Sequence, residues 1–204
     1  MKNLLLITID SLRPDHLSPG YRRPTTPNIA RLAERSWRFE SAISTAPYTK
    51  AAFKTIFTGT YPFSFRGYDA IWGLPSLPEF LAKRGYITLG LPNIPILSEP
   101  YGYARGFRFF LSPVRREKTD YISSFFRRLG LEDLMLALFR LMPDRGPLGP
   151  TSSPYMGADE LTDRALEFLA HLPKGRPFFL WAHYMDLSLI HISEPTRPRL
   201  NSYA

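Results

Sequence analysis

A threonine hydroxyl, a lysine ammonium and a distant carboxylate are the groups whose placement could do chemistry here: Thr49, Lys50 and Asp10. Thr49 and Lys50 lie in the stretch Thr45–Pro62, where Ala52, Phe53, Ile56 and Phe57 are apolar at helical spacing and are expected to point inward. Pro47 cannot supply an interior amide, so the helix is expected to begin at Thr49 or Lys50. The Thr49 hydroxyl would then sit beside the unpaired amides and positive end of a helix, with the Lys50 ammonium adjacent. That place suits an anionic ester, because the amides hold its oxyanion while a hydroxyl attacks it. From the local pattern alone, the stronger reading of Thr49 is a plain helix cap.

Asp10 ends the apolar run Asn3–Ile9, the pattern of a central, buried parallel strand. The carboxyl edge of an open α/β sheet is where ligands bind. A carboxylate there is costly unless a positive charge opposes it, so a metal ion is a reasonable partner. Asp15 and His16 are expected in the turn that follows, Asp15 as a cap.

Several elements must position these groups. Gly59 and Pro62 close the helix that starts near Thr49. Thr25–Arg35 reads as a helix capped by Thr26, with Ile29, Leu32 and Ala33 as its buried stripe, and Trp37–Ile43 alternates like a strand. Leu77–Arg84 is expected to be a helix closed by Gly85, and Tyr86–Leu91 the next strand, a βα alternation. Two amphipathic helices are expected over 119–142, broken near Gly130, and a Gly- and Pro-rich linker over Pro143–Pro154. Ala158–Leu172 reads as a helix and Arg176–Asp186 as a buried strand; His183 within it is expected to be structural.

The chain has 204 residues, 44% of them hydrophobic, enough for one packed domain. It has no cysteine, which excludes disulfides and thiolate metal sites. No run is long and apolar enough to span a membrane. The apolar start is short, ends in an acid and lacks a cleavage pattern, so a strand rather than a signal peptide is expected, and a cytoplasmic location with it. The formal charge is +8, but pairs such as Arg22–Arg23, Arg115–Arg116 and Arg127–Arg128 are dispersed. A nucleic-acid partner, which would gather basic residues and aromatics on one element, is not expected. Attraction to an anionic ester substrate or a membrane surface accounts for the charge as well.

The phrase Thr49 to Gly59, closing Thr-Gly-Thr-Tyr-Pro, resembles the nucleophile segment of the sulfatase branch of the alkaline phosphatase superfamily. There the family writes Cys- or Ser-x-Pro-Ser-Arg, an apolar helix and Thr-Gly-x-Tyr-Pro, and Thr49 stands where the Cys or Ser would. The opening Asn3–Leu17, the Thr-Pro-Asn-x-x-x-Leu-Ala phrase from Thr26 and the Pro-Phe-Phe-Leu…His-Tyr-x-Asp phrase ending at Asp186 resemble the same family. The resemblance implies an alkaline-phosphatase-like three-layer α/β sandwich with a mostly parallel sheet, truncated to its N-terminal half. It implies Asp10 and Thr49 as metal ligands, Thr49 as nucleophile and Lys50 as oxyanion stabiliser, with a divalent cation of the Ca, Mg, Mn or Zn type. Ser11 stands where many relatives have a second Asp, and Phe53 where they have Arg.

Threonine cannot be oxidised to the formylglycine of typical sulfatases. Sulfate ester hydrolysis is expected from the family. The alternatives are a Thr-dependent phosphodiesterase, phosphonate hydrolase or phospho-head-group transferase, and a non-catalytic sulfatase-like binding module. Residues 1–186 read as a partial domain with a helical insertion at 118–142; 119–142 packs on the domain or, alternatively, meets a membrane surface. Leu187–Arg197 resembles a translated sequencing adapter, so 187–204 is expected to be a non-native tail. Without the family's later metal ligands, the chain as written is expected to be inactive.

Overall fold

The computed structural model describes residues 2–18, 20–64, 70–111 and 155–187. The expected insertion, linker and tail, apart from Leu187, lie outside the described residues.

The described strands are β1 (Leu4–Ile9), β2 (Ile87–Leu91), β3 (Phe109–Phe110) and β4 (Phe178–Tyr184), all parallel, in the order β1-β4-β2-β3. The helices are α1 (Pro27–Ala33), α2 (Thr49–Thr58), α3 (Leu77–Ala82) and α4 (Ala158–Ala170). Strand β4 is central, and its side chains alternate between two cores because successive residues point to opposite faces. Phe179 and Trp181 pack with Phe53, Phe57 and Leu81 of α2 and α3, whereas Leu180 and Ala182 pack with Leu161 and Ala165 of α4. Helices on both faces of a parallel sheet make the three-layer α/β arrangement expected from the sequence.

Helix α2 is held by aromatic packing. Phe57 and Trp181 meet edge to face with ring centroids 4.7 Å apart, and Phe53 lies 5.5 Å from Trp181. The inward face differs from the expected one. Phe53 and Phe57 are buried, together with Ala51 and Lys54, while Ile56 is 44% exposed. Helix α2 thus turns only part of its apolar stripe to the core, and Ala52 and Ile56 line an open cleft.

Helix α3 starts with a capping box between Ser76 and Glu79. Glu79 also pairs with Arg105 at 2.7 Å, and Arg105 donates to the carbonyls of Ile71 and Leu74. Gly106 lets this loop pass close: a Cβ there would lie 2.2 Å from the Glu79 amide nitrogen, at a φ of +79°.

Three expectations are corrected. Trp37–Ile43 forms no strand, and Trp37 and Ile43 are 94% and 91% exposed. Alternation fits a chain to a pleated surface, but a strand exists only where a neighbour completes its ladder, and no described strand pairs with these residues. Strand β1 is not central: it ends the described sheet, leaving Leu5 58% exposed. The stripe of α1 is not buried either, with Ile29 and Leu32 exposed.

Candidate active site

Strand β1 delivers Asp10, and α2 begins at Thr49. The backbone continues the parallel ladder one residue past β1, with the Asp10 amide donating to the Tyr184 carbonyl at 2.9 Å. The chain then turns sharply, because Ser11 adopts a φ of +59°. A left-handed conformation at a non-glycine residue is uncommon and costs energy. It leaves the Asp10 carboxylate at the carboxyl rim of the sheet, where the Ser11 hydroxyl donates to Oδ2 at 3.3 Å.

Thr49 Oγ1 donates to Asp10 Oδ1 at 2.9 Å. The plain-cap reading of Thr49 does not fit this arrangement, since Tyr48 occupies the N-cap position with extended φ and ψ, and Thr49 is the first helical residue. Its hydroxyl is spent on the carboxylate. The first-turn amides of any helix lack intrahelical acceptors, so α2 carries unpaired amide donors at the end where Thr49 stands. Gly59 closes the same helix at a φ of 68°, as expected.

Asp10 and Thr49 share a cleft of about 540 Å³ with Thr8, Ser11, Tyr48, Ala52, Ile56 and His183 among its walls. Lys50 is placed elsewhere. Its Nζ lies over the Tyr101 ring, 4.9 Å from the centroid, and it is not among the residues lining the cleft. The Lys50 carbonyl accepts from the Tyr103 hydroxyl at 3.3 Å, and burial pushes that phenol above its usual range.

His183 sits opposite Thr8 in the β1–β4 register and is buried. Its Nδ1 and Thr8 Oγ1 are 2.9 Å apart, and Trp181 Nε1 donates to the same oxygen at 3.1 Å. Burial lowers the imidazole to about 4, with Asp10 opposing the shift, so the ring is neutral near pH 7. Nε2 is buried and has no hydrogen-bond partner in the protein. Sequence reasoning set His183 aside as structural. The alternation that places Trp181 and His183 on one face was readable, but not the partner Thr8, which lies 175 residues away.

Asp15 and His16 lie in a short 3-10 turn, Pro14–His16, where Asp15 pairs with Arg13 on the surface. The neighbouring Arg13 guanidinium holds the Asp15 carboxyl well below its usual range. Asp186 caps α4 from outside it, its Oδ1 accepting from the Ala158 amide at 2.9 Å.

The sulfatase family model matches residues 2–187. The chain belongs to the sulfatase family. This sulfatase-family chain is 29% identical over 99 residues to mouse (Mus musculus) iduronate 2-sulfatase and 28% identical over 99 residues to the human (Homo sapiens) protein. Each alignment covers 45% of this chain and 18% of the relative. A candidate sulfatase of Bacteroides thetaiotaomicron shares the fold with a TM-score of 0.57 at 18% identity, over 90% of this chain and 35% of that one. The phosphonate monoester hydrolase of Agrobacterium radiobacter does so with a TM-score of 0.56 at 24% identity, over 90% of this chain and 40% of that one. The sulfatase-family chain therefore spans well under half the length of the solved proteins it resembles.

The chemistry of the donor set bears on a metal. Asp10 and Thr49 offer oxygens, which suit a hard divalent cation. The described residues hold no group of three or more His, Cys, Asp or Glu that could complete such a site. The donor types fit and their number falls short. No described helix is long and apolar enough to cross a membrane.

Proposed function

We propose that this chain carries the nucleophile of a hydrolase acting on anionic tetrahedral esters, sulfate esters first among them. The observation that carries the reading is the Thr49 hydroxyl, aimed at the Asp10 carboxylate from the start of a helix that opens on a cleft. Thr49 Oγ1 attacks sulfur or phosphorus, the bond to the leaving oxygen breaks, and an alcohol departs. Water then cleaves the threonyl ester and releases sulfate from a sulfate ester, or the phosphate monoester or phosphonate from a phosphorus ester. Asp10 orients the hydroxyl and stands where its proton must go. The first-turn amides of α2 stabilise the charge that grows on the transferred group. A divalent cation at Asp10 and Thr49 would supply Lewis acidity that makes the hydroxyl a better nucleophile. The remaining ligands would come from the rest of a longer protein, so the 204-residue chain is proposed to be inactive alone.

The test is turnover of 4-nitrophenyl sulfate, bis(4-nitrophenyl) phosphate and 4-nitrophenyl phenylphosphonate by the whole protein, with and without a chelator. Loss of turnover in Thr49→Ala, and on chelation, is expected; the preferred ester names the substrate class. A Thr49→Ala protein as active as the unsubstituted one overturns the reading. Metal-dependent turnover by the 204-residue chain alone overturns its proposed inactivity. A second reading, a non-catalytic binding module, draws on the short donor set among the described residues. Absence of turnover on all three esters, with a partner bound equally by Thr49→Ala, would favour it.

A further inference from the structure

Strand β1 runs Leu-Leu-Leu-Ile-Thr-Ile, with neither a charge nor a proline, yet it ends the described sheet. The Asp10 amide donates to the Tyr184 carbonyl, and backbone groups alternate in direction along a strand. The even-numbered residues of β1 therefore turn their amides and carbonyls to β4. Leu5, Ile7 and Ile9 turn theirs to the open side, where no described backbone group meets them. Edge strands of folded proteins are normally short, charged, bulged or covered, because a bare row of amides and carbonyls invites pairing.

The side chains lack cover on the same strand. Leu5 and Ile7 stand beside Leu180 and Ala182 in the β1–β4 register, on the face that packs with α4. Leu180 and Ala182 are buried there, whereas Leu5 is 58% and Ile7 53% exposed. Helix α4 thus stops short of β1. On the opposite face Leu6 packs against the α2 core. A strand apolar on both faces, in a sheet whose described strands are all parallel, matches burial on both faces.

We propose that the remainder of the longer protein supplies this cover: one of its strands pairs with the outer edge of β1, and an apolar helix face packs over Leu5 and Ile7. This chain spans 35% and 40% of the two solved proteins it resembles, which leaves ample polypeptide for both elements. Neighbouring strands lie about 4.8 Å apart, so the added strand also closes the open side of the strand end that carries Asp10. The inference goes beyond the hydrolase reading and survives its failure, because a binding module of this fold needs the same cover.

Hydrogen exchange of the whole protein, read amide by amide and repeated at a dilution where it is monomeric, is the test. The Leu5, Ile7 and Ile9 amides should exchange at least about a thousandfold more slowly than in a free peptide, as core strands do. Exchange within about tenfold of the free peptide leaves the edge bare and overturns the inference. Protection that disappears on dilution to monomer assigns the edge to a second copy, and overturns it too. Ile7→Lys tests the side-chain cover: it should lower the melting temperature of the whole protein by about 5 °C or more, since a buried ammonium has no partner there. A Lys variant melting within about 1 °C of the unsubstituted protein would show Ile7 to be solvated and remove the covering helix. If that variant fails to fold, the exchange measurement, which needs no substitution, still decides.

Discussion

Thr49 Oγ1 and Asp10 Oδ1 lie 2.9 Å apart, although 39 residues separate them in the chain. The contact joins the first turn of a helix to the carboxyl end of a strand. Neither element alone creates it; the packing of Phe53 and Phe57 against Trp181 does. Replacing Thr49 by Val keeps the shape and removes the hydroxyl. Turnover by the whole protein should fall by at least about a thousandfold, while Ser retains a measurable fraction, because loss of a nucleophile removes the covalent path. Equal rates for Val and Thr would contradict the role.

Lys50 is the contrasting case. Its ammonium rests over Tyr101, away from the cleft walls. Lys50→Ala should change kcat/KM by less than about tenfold, because a charge outside the cleft stabilises the transition state weakly. A loss as large as that of Thr49→Val would show that the side chain swings into the site during turnover.

The aromatic core sets the position of α2, so its loss should be felt as stability before chemistry. Phe57 is 1% exposed and packs on both Trp181 and Tyr103. Phe57→Ala should cost about 3–5 kcal/mol in denaturant unfolding. A cost below about 1 kcal/mol would mean that the helix is held by something else.

Acid should weaken the fold through His183. Its folded value, about 4, lies below the ordinary value of 6.5 because burial disfavours the charged ring. A depressed folded value means that the unfolded state takes the proton first. The stabilisation is therefore complete above 6.5, is lost as pH falls, and is gone near 4. About 3 kcal/mol is at stake, as an order of magnitude. Urea unfolding across this range should show the slope, and His183→Gln should flatten it. A slope unchanged by the substitution would assign the acid sensitivity to other groups.

The local punctuation of this chain was readable because it rests on short-range sterics. Pro47 and Gly59 bracket α2, Gly85 follows α3, and the apolar runs before Asp10 and Asp186 are strands. Burial was less readable. The stripe of α2 divides between core and cleft, and the alternation of Trp37–Ile43 stays unpaired among the described residues. Periodicity reports which residues share a face, not what that face meets.

Residue types and spacing by themselves determined the α/β class, the start of the helix at Thr49 and the acid at the end of β1, since each follows from backbone sterics or from a short repeat. Tertiary structure alone decided that the Thr49 hydroxyl turns to Asp10, that Lys50 turns to Tyr101 and that His183 meets Thr8 across the β1–β4 register. Those outcomes depend on which strand lies beside which and on how α2 is rotated over Trp181. Both are set by close packing summed over the whole core, which no local segment encodes.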